Sequence, residues 1–246
     1  MAPAGYGSRV EGAHAVRAAA AAGRVRKLWV EKGRLERSDI TDLIAVVGED
    51  QVAVVADVRS LAETEAPQGL VADCVPIDPV SVDMLAGEGA AIIVLDHIED
   101  PHNVGAIARS ALATGMTGMI MSSRRQAPLT AAAFKAAAGA LETMPVAVVG
   151  SIPESLSRLK TGGTWVVGLD AEGDSPLFGL ELLTEPVAMV IGGEGSGLST
   201  LAAKRCDVVV SIPMAEGTES LNASVSAALA CFEIMRIRRA ASTWPG

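Results

Sequence analysis

Three polar, glycine-containing segments in the second half of the chain hold the residues whose types and spacing could do chemistry. They span residues 103–109, 192–199 and 212–224. Each segment directly follows an apolar run with the composition of a strand, and open α/β sheets place their ligand-binding loops at that position. Three such loops in one domain predict one shared site.

The first segment has the features of a helix start. Asp100 is a good N-cap, and Pro101 suits the first helical position. Asn103 then falls in the first turn, and Arg109 lies about 9 Å further along the helix axis. Gly105 inside a helix costs about 1 kcal/mol relative to alanine, which predicts that another group approaches the backbone there. A plainer interpretation stays open, in which Asn103 helps the helix to begin and Arg109 pairs with a surface acid.

The second segment matches a phosphate-binding loop only in part. Gly192 and Gly197 have P-loop spacing, but Leu198 stands where that loop needs its lysine. A dinucleotide-binding fingerprint fails at the same residue, because it needs a third glycine there. The segment is therefore a glycine-rich loop around one carboxylate, Glu194. A simple strand-to-helix turn explains one or two of its glycines but not all four.

The third segment begins the final helix with unusual polar density. Thr218, Glu219, Ser220, Asn222 and Ser224 crowd this start, although one Ser or Asn is enough to cap a helix. A helix N-terminus also favours an anion. An apolar stripe at helical spacing then predicts either core or a subunit interface; it consists of Val225, Leu229, Phe232 and Met235.

The elements around these segments alternate regularly from residue 90. Strands are predicted at 90–95, 118–122, 145–149, 164–169, 186–191 and 207–212. Helices are predicted near 102–114, 129–140, 153–160 and 221–240. The strands are continuous apolar runs, so both faces of the sheet should be covered. The pattern predicts an α/β fold with a mostly parallel, doubly wound sheet.

The first part of the chain predicts a separate small α/β domain. Helices are expected at 11–22, 38–47 and 59–64, with Ser38 or Asp39 capping the second, and strands at 25–31, 51–56 and 69–75. Prolines and glycines then interrupt residues 76–89. We expect domains at 1–76 and 90–246, joined by a linker at 77–89.

The charge is distributed unevenly between these two parts. A net charge of −9 argues at first against a nucleic-acid partner. However, the first 37 residues carry eight basic and three acidic groups, leaving −14 for the remainder. This predicts a basic N-terminal module on an acidic body, in which the charges of Arg24, Arg26 and Lys27 could converge on one phosphate path. A solvated helix face of mixed charge is the alternative.

Composition also excludes several classes of protein. No apolar run approaches the ~18 residues of a spanning helix, and no secretory leader opens the chain, so we expect a cytoplasmic protein without a membrane partner. The cysteines form no C-x-x-C pair and are expected to be buried free thiols: Cys74, Cys206 and Cys231. The histidines lie in no metal-binding motif, so no metal is expected: His14, His97 and His102.

Taken together, the three segments resemble the signature motifs of the SpoU/TrmH family of RNA ribose 2′-O-methyltransferases, within the SPOUT class. The resemblance lies in the order and spacing of the motifs and in the Ser-Leu-Asn-x-Ser opening of the last helix. Residues 12–16, 68–69 and 135–145 are similar to bacterial enzymes that methylate a guanosine of large-subunit ribosomal RNA.

The resemblance implies a fold, a cofactor and partners. It implies a C-terminal trefoil knot that forms the S-adenosylmethionine pocket and an obligate homodimer whose helices complete the site. It also implies an N-terminal domain similar to ribosomal RNA-binding proteins, so the expected partner is RNA, and ribosomal RNA in particular. Cofactor contacts are implied for Gly192, Ile212 and Leu221. Catalytic or substrate-positioning roles are implied for Asn103, Arg109, Glu194, Ser220 and Asn222.

Two departures from the family pattern remove no functional group: Gly193 replaces a common alanine, and Ala138 stands where relatives often have Ser or Cys. The family role proposed for Arg109 is that of a base. Because a guanidinium stays protonated, we expect a phosphate clamp and alkoxide stabiliser instead, with water or a phosphate oxygen taking the proton. The open alternatives are a non-catalytic RNA-binding or ribosome-assembly factor, a nucleotide-binding regulator, and a transfer-RNA-directed methyltransferase.

Overall fold

The computed structural model describes residues 5–124, 126–195, 197–217 and 220–241. Its strands are β1 (Arg9–Glu11), β2 (Val25–Glu31), β3 (Val52–Val55), β4 (Leu70–Cys74), β5 (Ala91–Asp96), β6 (Gly118–Ser122), β7 (Val146–Val149), β8 (Trp165–Leu169), β9 (Ser175–Pro176), β10 (Val187–Gly192) and β11 (Val208–Ser211). Its α-helices are α1 (Ala13–Ala21), α2 (Ser38–Val47), α3 (Pro101–Ala113), α4 (Ala131–Ala137), α5 (Ala140–Thr143), α6 (Ile152–Thr161), α7 (Thr200–Ala203) and α8 (Ala223–Ala240).

The larger sheet has seven strands in the order β7-β6-β5-β10-β8-β11-β9, and its strand pairs are parallel. All six residues of β5 are buried. Alternate residues of β5 face opposite cores: Ile93 packs in the one that includes α3 and α8, and Ile92 packs in the one that includes α6. The predicted α/β class with a parallel, doubly wound sheet is confirmed. The trefoil knot stays a prediction.

The smaller sheet has four strands in the order β1-β4-β2-β3. Strand β4 runs antiparallel to both β1 and β2, whereas β2 and β3 are parallel. Helix α1 packs on this sheet and on α2. The predicted small α/β unit is therefore present, while the boundaries at 76 and 90 stay predictions.

A buried ion pair joins the unit built on the smaller sheet to the unit built on the larger sheet. Arg24, which precedes β2, donates from Nη2 to Glu142 Oε1 at 2.6 Å and from Nε to Oε2 at 2.7 Å. The two side chains are only 12% and 1% exposed. The Arg24 guanidinium also lies 5.9 Å from the Phe134 ring centroid. Because a buried charge needs its partner, this pair ties the first unit to α4 and α5.

The three stretches that resemble ribosomal RNA enzymes meet at this junction. Ala13 donates its backbone N–H to Gln68 Oε1 at 3.2 Å. Lys135 on α4 donates to the Ala66 carbonyl and packs beside Gly12. Residues far apart in sequence thus form one seam between the RNA-binding module predicted from the sequence and the larger sheet.

The structure differs from the sequence predictions at short or alanine-rich elements. Strands β1 and β9 and helix α7 are too short to show a period and were not predicted. The helix predicted at 129–140 is two helices, because Ala138 and Gly139 adopt left-handed backbone angles, with φ of 49° and 99°. The N-cap of α2 is Arg37, not Ser38 or Asp39, since the Asp39 carboxylate instead binds the guanidinium of Arg37.

The structure also bears on the expected absence of a membrane-spanning helix and on the polar residues before α8. Among the described residues, no helix is both long enough and apolar enough to cross a membrane. Thr218 and Glu219, which contributed to the predicted polar density before α8, lie outside the described residues.

Candidate functional site

The site lies at the carboxyl edge of the larger sheet. Strands β5 and β10 are neighbours in register, so that Asp96 and Gly192 end side by side. Helix α3 follows β5, and the glycine-rich loop follows β10. The beginning of α8 reaches the same edge, because Asn222 bonds to residues of the other two segments. The three segments predicted to share one site are thus brought together.

One side chain from each segment contributes to a hydrogen-bonded group, named here the Asn–Glu–Asn cluster: Asn103, Glu194 and Asn222. Asn103 donates from Nδ2 to Glu194 Oε1 at 2.8 Å. Asn222 donates from Nδ2 to the same oxygen at 2.5 Å and to Asn103 Oδ1 at 3.2 Å. Asn103 is buried, at 8% exposure. The cluster therefore fixes the Glu194 carboxylate through one oxygen and leaves the other oxygen without a partner in the described residues.

Asn222 is oriented from both ends of its amide. Its Oδ1 accepts from the backbone nitrogens of Ser224 at 2.9 Å and Val225 at 3.4 Å, so it is the N-cap of α8. The Ser224 hydroxyl also donates to Oδ1, at 2.6 Å. The cap thus uses the oxygen of the amide and frees the nitrogen for the cluster.

The start of α3 has the predicted geometry. Asp100 caps the helix by accepting from the His102 nitrogen at 2.8 Å, and Pro101 occupies the first turn. The group that approaches Gly105 is helix α4: a Cβ at this position would lie 2.6 Å from Ala136 Cβ and closer still to the Ala133 carbonyl oxygen. The glycine therefore allows close helix packing, which holds Asn103 in place.

Two carboxylates hold the glycine-rich loop from either side. Asp96 at the end of β5 accepts from the Ser199 nitrogen through Oδ2 at 2.8 Å. Asp170, just after β8, accepts from the Leu198 nitrogen through Oδ2 at 3.1 Å. Neither aspartate was predicted as a site residue. The available signal was an acidic residue at the carboxyl end of each strand that flanks β10.

A first cavity of about 440 Å³ opens beside the cluster. Its walls include all three residues implied to contact the cofactor, namely Gly192, Ile212 and Leu221. Ser220 and Glu194 line it as well. The volume lies in the range of small-ligand sites. A side chain at Gly192 would displace the loop, because a Cβ there would lie 2.5 Å from the Leu198 nitrogen and closer still to the Gly197 carbonyl.

A second cavity of about 670 Å³ also borders Glu194. Its lining residues are His97, Ile98, Glu99, Asp100, Asn103, Glu194, Gly197 and Ser199. Glu194 and Gly197 line both cavities. The cluster therefore stands at the wall between two spaces, each large enough for a small molecule.

Two predicted site residues line neither cavity: Asn222, which joins the cluster through its hydrogen bonds, and Arg109. Arg109 lies further from the cluster along α3. Six residues along a helix place it about 240° around the axis from Asn103. The residue is exposed. Its guanidinium has no ion pair or hydrogen bond with any described residue, so it is free to bind a ligand outside the cavities.

The basic residues of the first unit are only partly available to a ligand. Arg24 is buried against Glu142, which corrects the expectation that it lies on the RNA path. Three others already pair with aspartates: Arg9, Arg17 and Arg37. Those that form no ion pair with a described residue are Arg26, Lys27, Lys32 and Arg34.

The described part of the chain contains no group of three or more His, Cys, Asp or Glu side chains that could hold a metal ion. The three cysteines are free; Cys74 and Cys231 are buried and Cys206 is half-buried. Burial raises the pKa of the Cys231 thiol to about 12 and those of Cys74 and Cys206 to about 11. These thiols are protonated at neutral pH, which is expected of structural cysteines.

The fold and the edge site together define an α/β protein with a ligand-binding sheet edge, and two family models match the chain. The model for the SpoU rRNA Methylase family matches residues 90–232, and the model for RNA 2′-O ribose methyltransferase substrate binding matches residues 9–80. The chain belongs to the SpoU rRNA methylase family. It is accordingly an RNA methyltransferase, and S-adenosylmethionine is the methyl donor of this family.

Similar proteins extend over nearly the whole chain. A protein of Mycobacterium sp. (strain KMS), described as an uncharacterized tRNA/rRNA methyltransferase, is 39% identical over 86% of this chain and 70% of its own length. A TrmH family tRNA/rRNA methyltransferase of Staphylococcus haemolyticus (strain JCSC1435) is 35% identical over 93% of this chain and 95% of its own. The SpoU methyltransferase AviRb from Streptomyces viridochromogenes, solved with AdoMet, is 29% identical with a TM-score of 0.80, covering 94% of this chain and 90% of that one.

Proposed function

We propose that this protein transfers a methyl group from S-adenosylmethionine to a ribose 2′-hydroxyl of RNA, and that the acceptor is a guanosine of large-subunit ribosomal RNA. The observation that carries the proposal is the Asn–Glu–Asn cluster at the wall between two cavities. A methyl transfer between two substrates needs such an arrangement, with donor and acceptor on either side of fixed polar groups. The choice of ribosomal guanosine rests on the resemblance of residues 12–16, 68–69 and 135–145.

The first cavity is the proposed cofactor site. Gly192, Ile212 and Leu221 line it, as the family motifs imply. Gly192 ends β10 and Ile212 directly follows β11, so both offer backbone groups at the carboxyl edge, where α/β sheets bind ligands. The AdoMet complex of AviRb supports this assignment, because that protein shares the fold over most of its length.

The chemistry asks little of the protein beyond alignment and charge stabilisation. The sulfonium already activates the methyl group, so the ribose oxygen must be held in line with it and must lose its proton. Asn103, Glu194 and Asn222 present fixed amides and a carboxylate at that position. Ser220 lines the cofactor cavity and completes the polar wall. The proton passes to water or to a phosphate oxygen.

Arg109 acts in this proposal from outside the cavities. Its exposed guanidinium, which no described residue neutralises, is suited to the phosphate beside the acceptor ribose. A planar guanidinium binds phosphate through two parallel hydrogen bonds, which fixes orientation as well as charge. The substrate would therefore span from this exposed face of α3 to the cluster.

The first unit, residues 1–76, is the proposed RNA grip. The substrate-binding family model covers residues 9–80, and the unpaired basic residues of this unit supply positive charge. Reversing Arg26, Lys27 and Lys32 together to glutamate should weaken RNA binding and flatten its dependence on salt. Fewer phosphate contacts release fewer counterions from the RNA on binding, and this release causes the salt dependence. Arg59→Glu is the control, since Arg59 already pairs with Asp57.

A homodimer and a cytoplasmic location complete the proposal. Val225 and Phe232 on α8 are 47% and 50% exposed, whereas Leu229 and Met235 of the same stripe are half-buried. The stripe is therefore not the core of this chain, which favours the alternative of a subunit interface. An enzyme that modifies ribosomal RNA would act in the cytoplasm.

Calorimetric titration tests the cofactor assignment. The protein should bind S-adenosylmethionine and not ATP, and Gly192→Val should abolish binding because it displaces the loop of Glu194. Gly150→Val is the matched control: Gly150 also follows a strand, but a Cβ there meets no atom within 4 Å. Normal binding by Gly192→Val would place the pocket elsewhere, and binding of ATP alone would favour the nucleotide-binding regulator.

The acceptor is tested with RNA from a strain that lacks the gene. Large-subunit ribosomal RNA from that strain should accept methyl groups, whereas its transfer RNA should not. The reverse result would favour a transfer-RNA-directed enzyme. Cofactor binding without transfer to any RNA would favour a non-catalytic assembly factor.

A further inference from the structure

His97 has an unusual backbone at the wall of the second cavity. Its φ is 63°, a left-handed conformation shared in the described part of the chain by only two other non-glycine residues. Histidine is among the residues that adopt this conformation more often than most, yet the conformation still has a cost. The next residue fixes it: Ile98 is buried, donates to Gln126 Oε1 at 3.0 Å and accepts from the Ala127 nitrogen at 2.9 Å.

A buried carboxylate orients the His97 ring. Asp96, at 1% exposure, places Oδ1 3.0 Å from His97 Nδ1, while its Oδ2 accepts from the Ser199 nitrogen. In the neutral imidazole the Nδ1 nitrogen then carries the proton, because it faces an acceptor. The other nitrogen, Nε2, is left as an acceptor, and the side chain is 35% exposed.

The cavity that His97 lines is rich in acceptors. The charged side chains on its wall are the carboxylates of Glu99, Asp100 and Glu194, and no lysine or arginine of the described chain lines it. One oxygen of Asp100 caps α3, and one of Glu194 accepts both asparagine amides. Such a wall repels phosphate and suits a group that offers N–H and O–H donors. A nucleoside offers these through its base and its ribose hydroxyls.

We propose that the second cavity receives the acceptor nucleoside, and that His97 is a substrate-contacting residue whose Nε2 accepts a hydrogen bond from it. The inference rests on the proposed function, because the acceptor must reach the methyl group in the first cavity across Glu194. It assigns His97 to substrate recognition and Asp96 to the positioning of that imidazole.

Steady-state kinetics of His97→Gly tests the proposal. Glycine adopts a φ of 63° without strain, so the backbone turn at this position should persist in the variant. With ribosomal RNA from a strain lacking the gene as acceptor, the KM for RNA should rise roughly 10-fold, the effect of one lost hydrogen bond. The Kd for S-adenosylmethionine should stay unchanged, because His97 does not line the first cavity.

His102→Ala is the matched control, since His102 is exposed and lines neither cavity. It should leave both constants unchanged. An unchanged KM for RNA in His97→Gly would overturn the inference, and so would a weaker cofactor affinity with no effect on RNA. If the parent chain methylates RNA while His97→Gly matches it, only this inference fails; if the parent chain transfers no methyl group, the proposed function itself fails.

Discussion

Asn222 has two separable roles, and substitution should divide them. Its oxygen caps α8, and its nitrogen holds Asn103 and Glu194 in the cluster. Serine is as good an N-cap as asparagine, but its single short hydroxyl cannot also replace the two amide hydrogen bonds. Asn222→Ser should therefore keep the helix and break the cluster, whereas Asn222→Ala should lose both.

The expected magnitudes follow from these contacts. Loss of the cap costs about 1 kcal/mol, which lowers the Tm of a chain of this size by about 2–4 °C. A hydrogen bond to a charged group contributes about 1.5–3 kcal/mol. If the whole free energy of the bond to Glu194 stabilises the transition state, its loss should lower the methyl-transfer rate by about 10- to 100-fold. Asn222→Ser should show the rate loss alone, and Asn222→Ala should show both effects.

Thermal denaturation and initial rates at saturating S-adenosylmethionine measure the two effects. Ser151→Ala is the control, because the Ser151 hydroxyl caps α6 away from both cavities by accepting from the Glu154 nitrogen at 3.3 Å. It should lower the Tm without changing the rate. A parent-like rate in Asn222→Ser would refute a catalytic role for the cluster, and an equal Tm loss in both Asn222 variants would refute the separation of roles.

Three other predictions follow from buried contacts. Glu142→Ala leaves the Arg24 charge buried without its partner and should cost about 3–5 kcal/mol in urea denaturation; a loss under about 1 kcal/mol would contradict the buried pair. Gly105→Ala should lower the free energy of unfolding by about 1–3 kcal/mol, because the added methyl group collides with the Ala133 carbonyl of α4. Unchanged stability would show that the two helices do not pack this closely. Burial raises the pKa of Cys231 to about 12, so native protein at pH 8 should resist iodoacetamide there, which mass spectrometry of a digest would show; rapid labelling would contradict the burial.

The sequence predicted those elements whose pattern is long and continuous. Strand β2, helix α2 and strand β6 have the predicted bounds, because each is a clear periodic or apolar run ended by polar residues or glycine. The break between α4 and α5 could not be predicted in the same way. Its alanine-rich surroundings show no contrast between faces, so the two left-handed residues at the break, Ala138 and Gly139, leave little trace in the pattern.

The site was predictable as a set of segments but not as a set of bonds. Asp96 and Asp170 become partners of one loop only because β10 lies between β5 and β8, an order that joins strands far apart in sequence. Arg24 shows the same limit. It belongs to a basic run, and its actual partner, Glu142, lies 118 residues away.

The chemical form of the methylated RNA tests the central claim most directly. Ribosomal RNA from a strain lacking the gene would be incubated with the protein and S-adenosylmethionine labelled in its methyl group, and then hydrolysed in alkali. A methyl group on the ribose 2′-oxygen blocks cleavage of the next phosphodiester, so the label should appear in alkali-resistant dinucleotides whose first nucleoside is guanosine. Label in mononucleotides would mean methylation of a base and would contradict the assignment of the site to ribose 2′-O transfer.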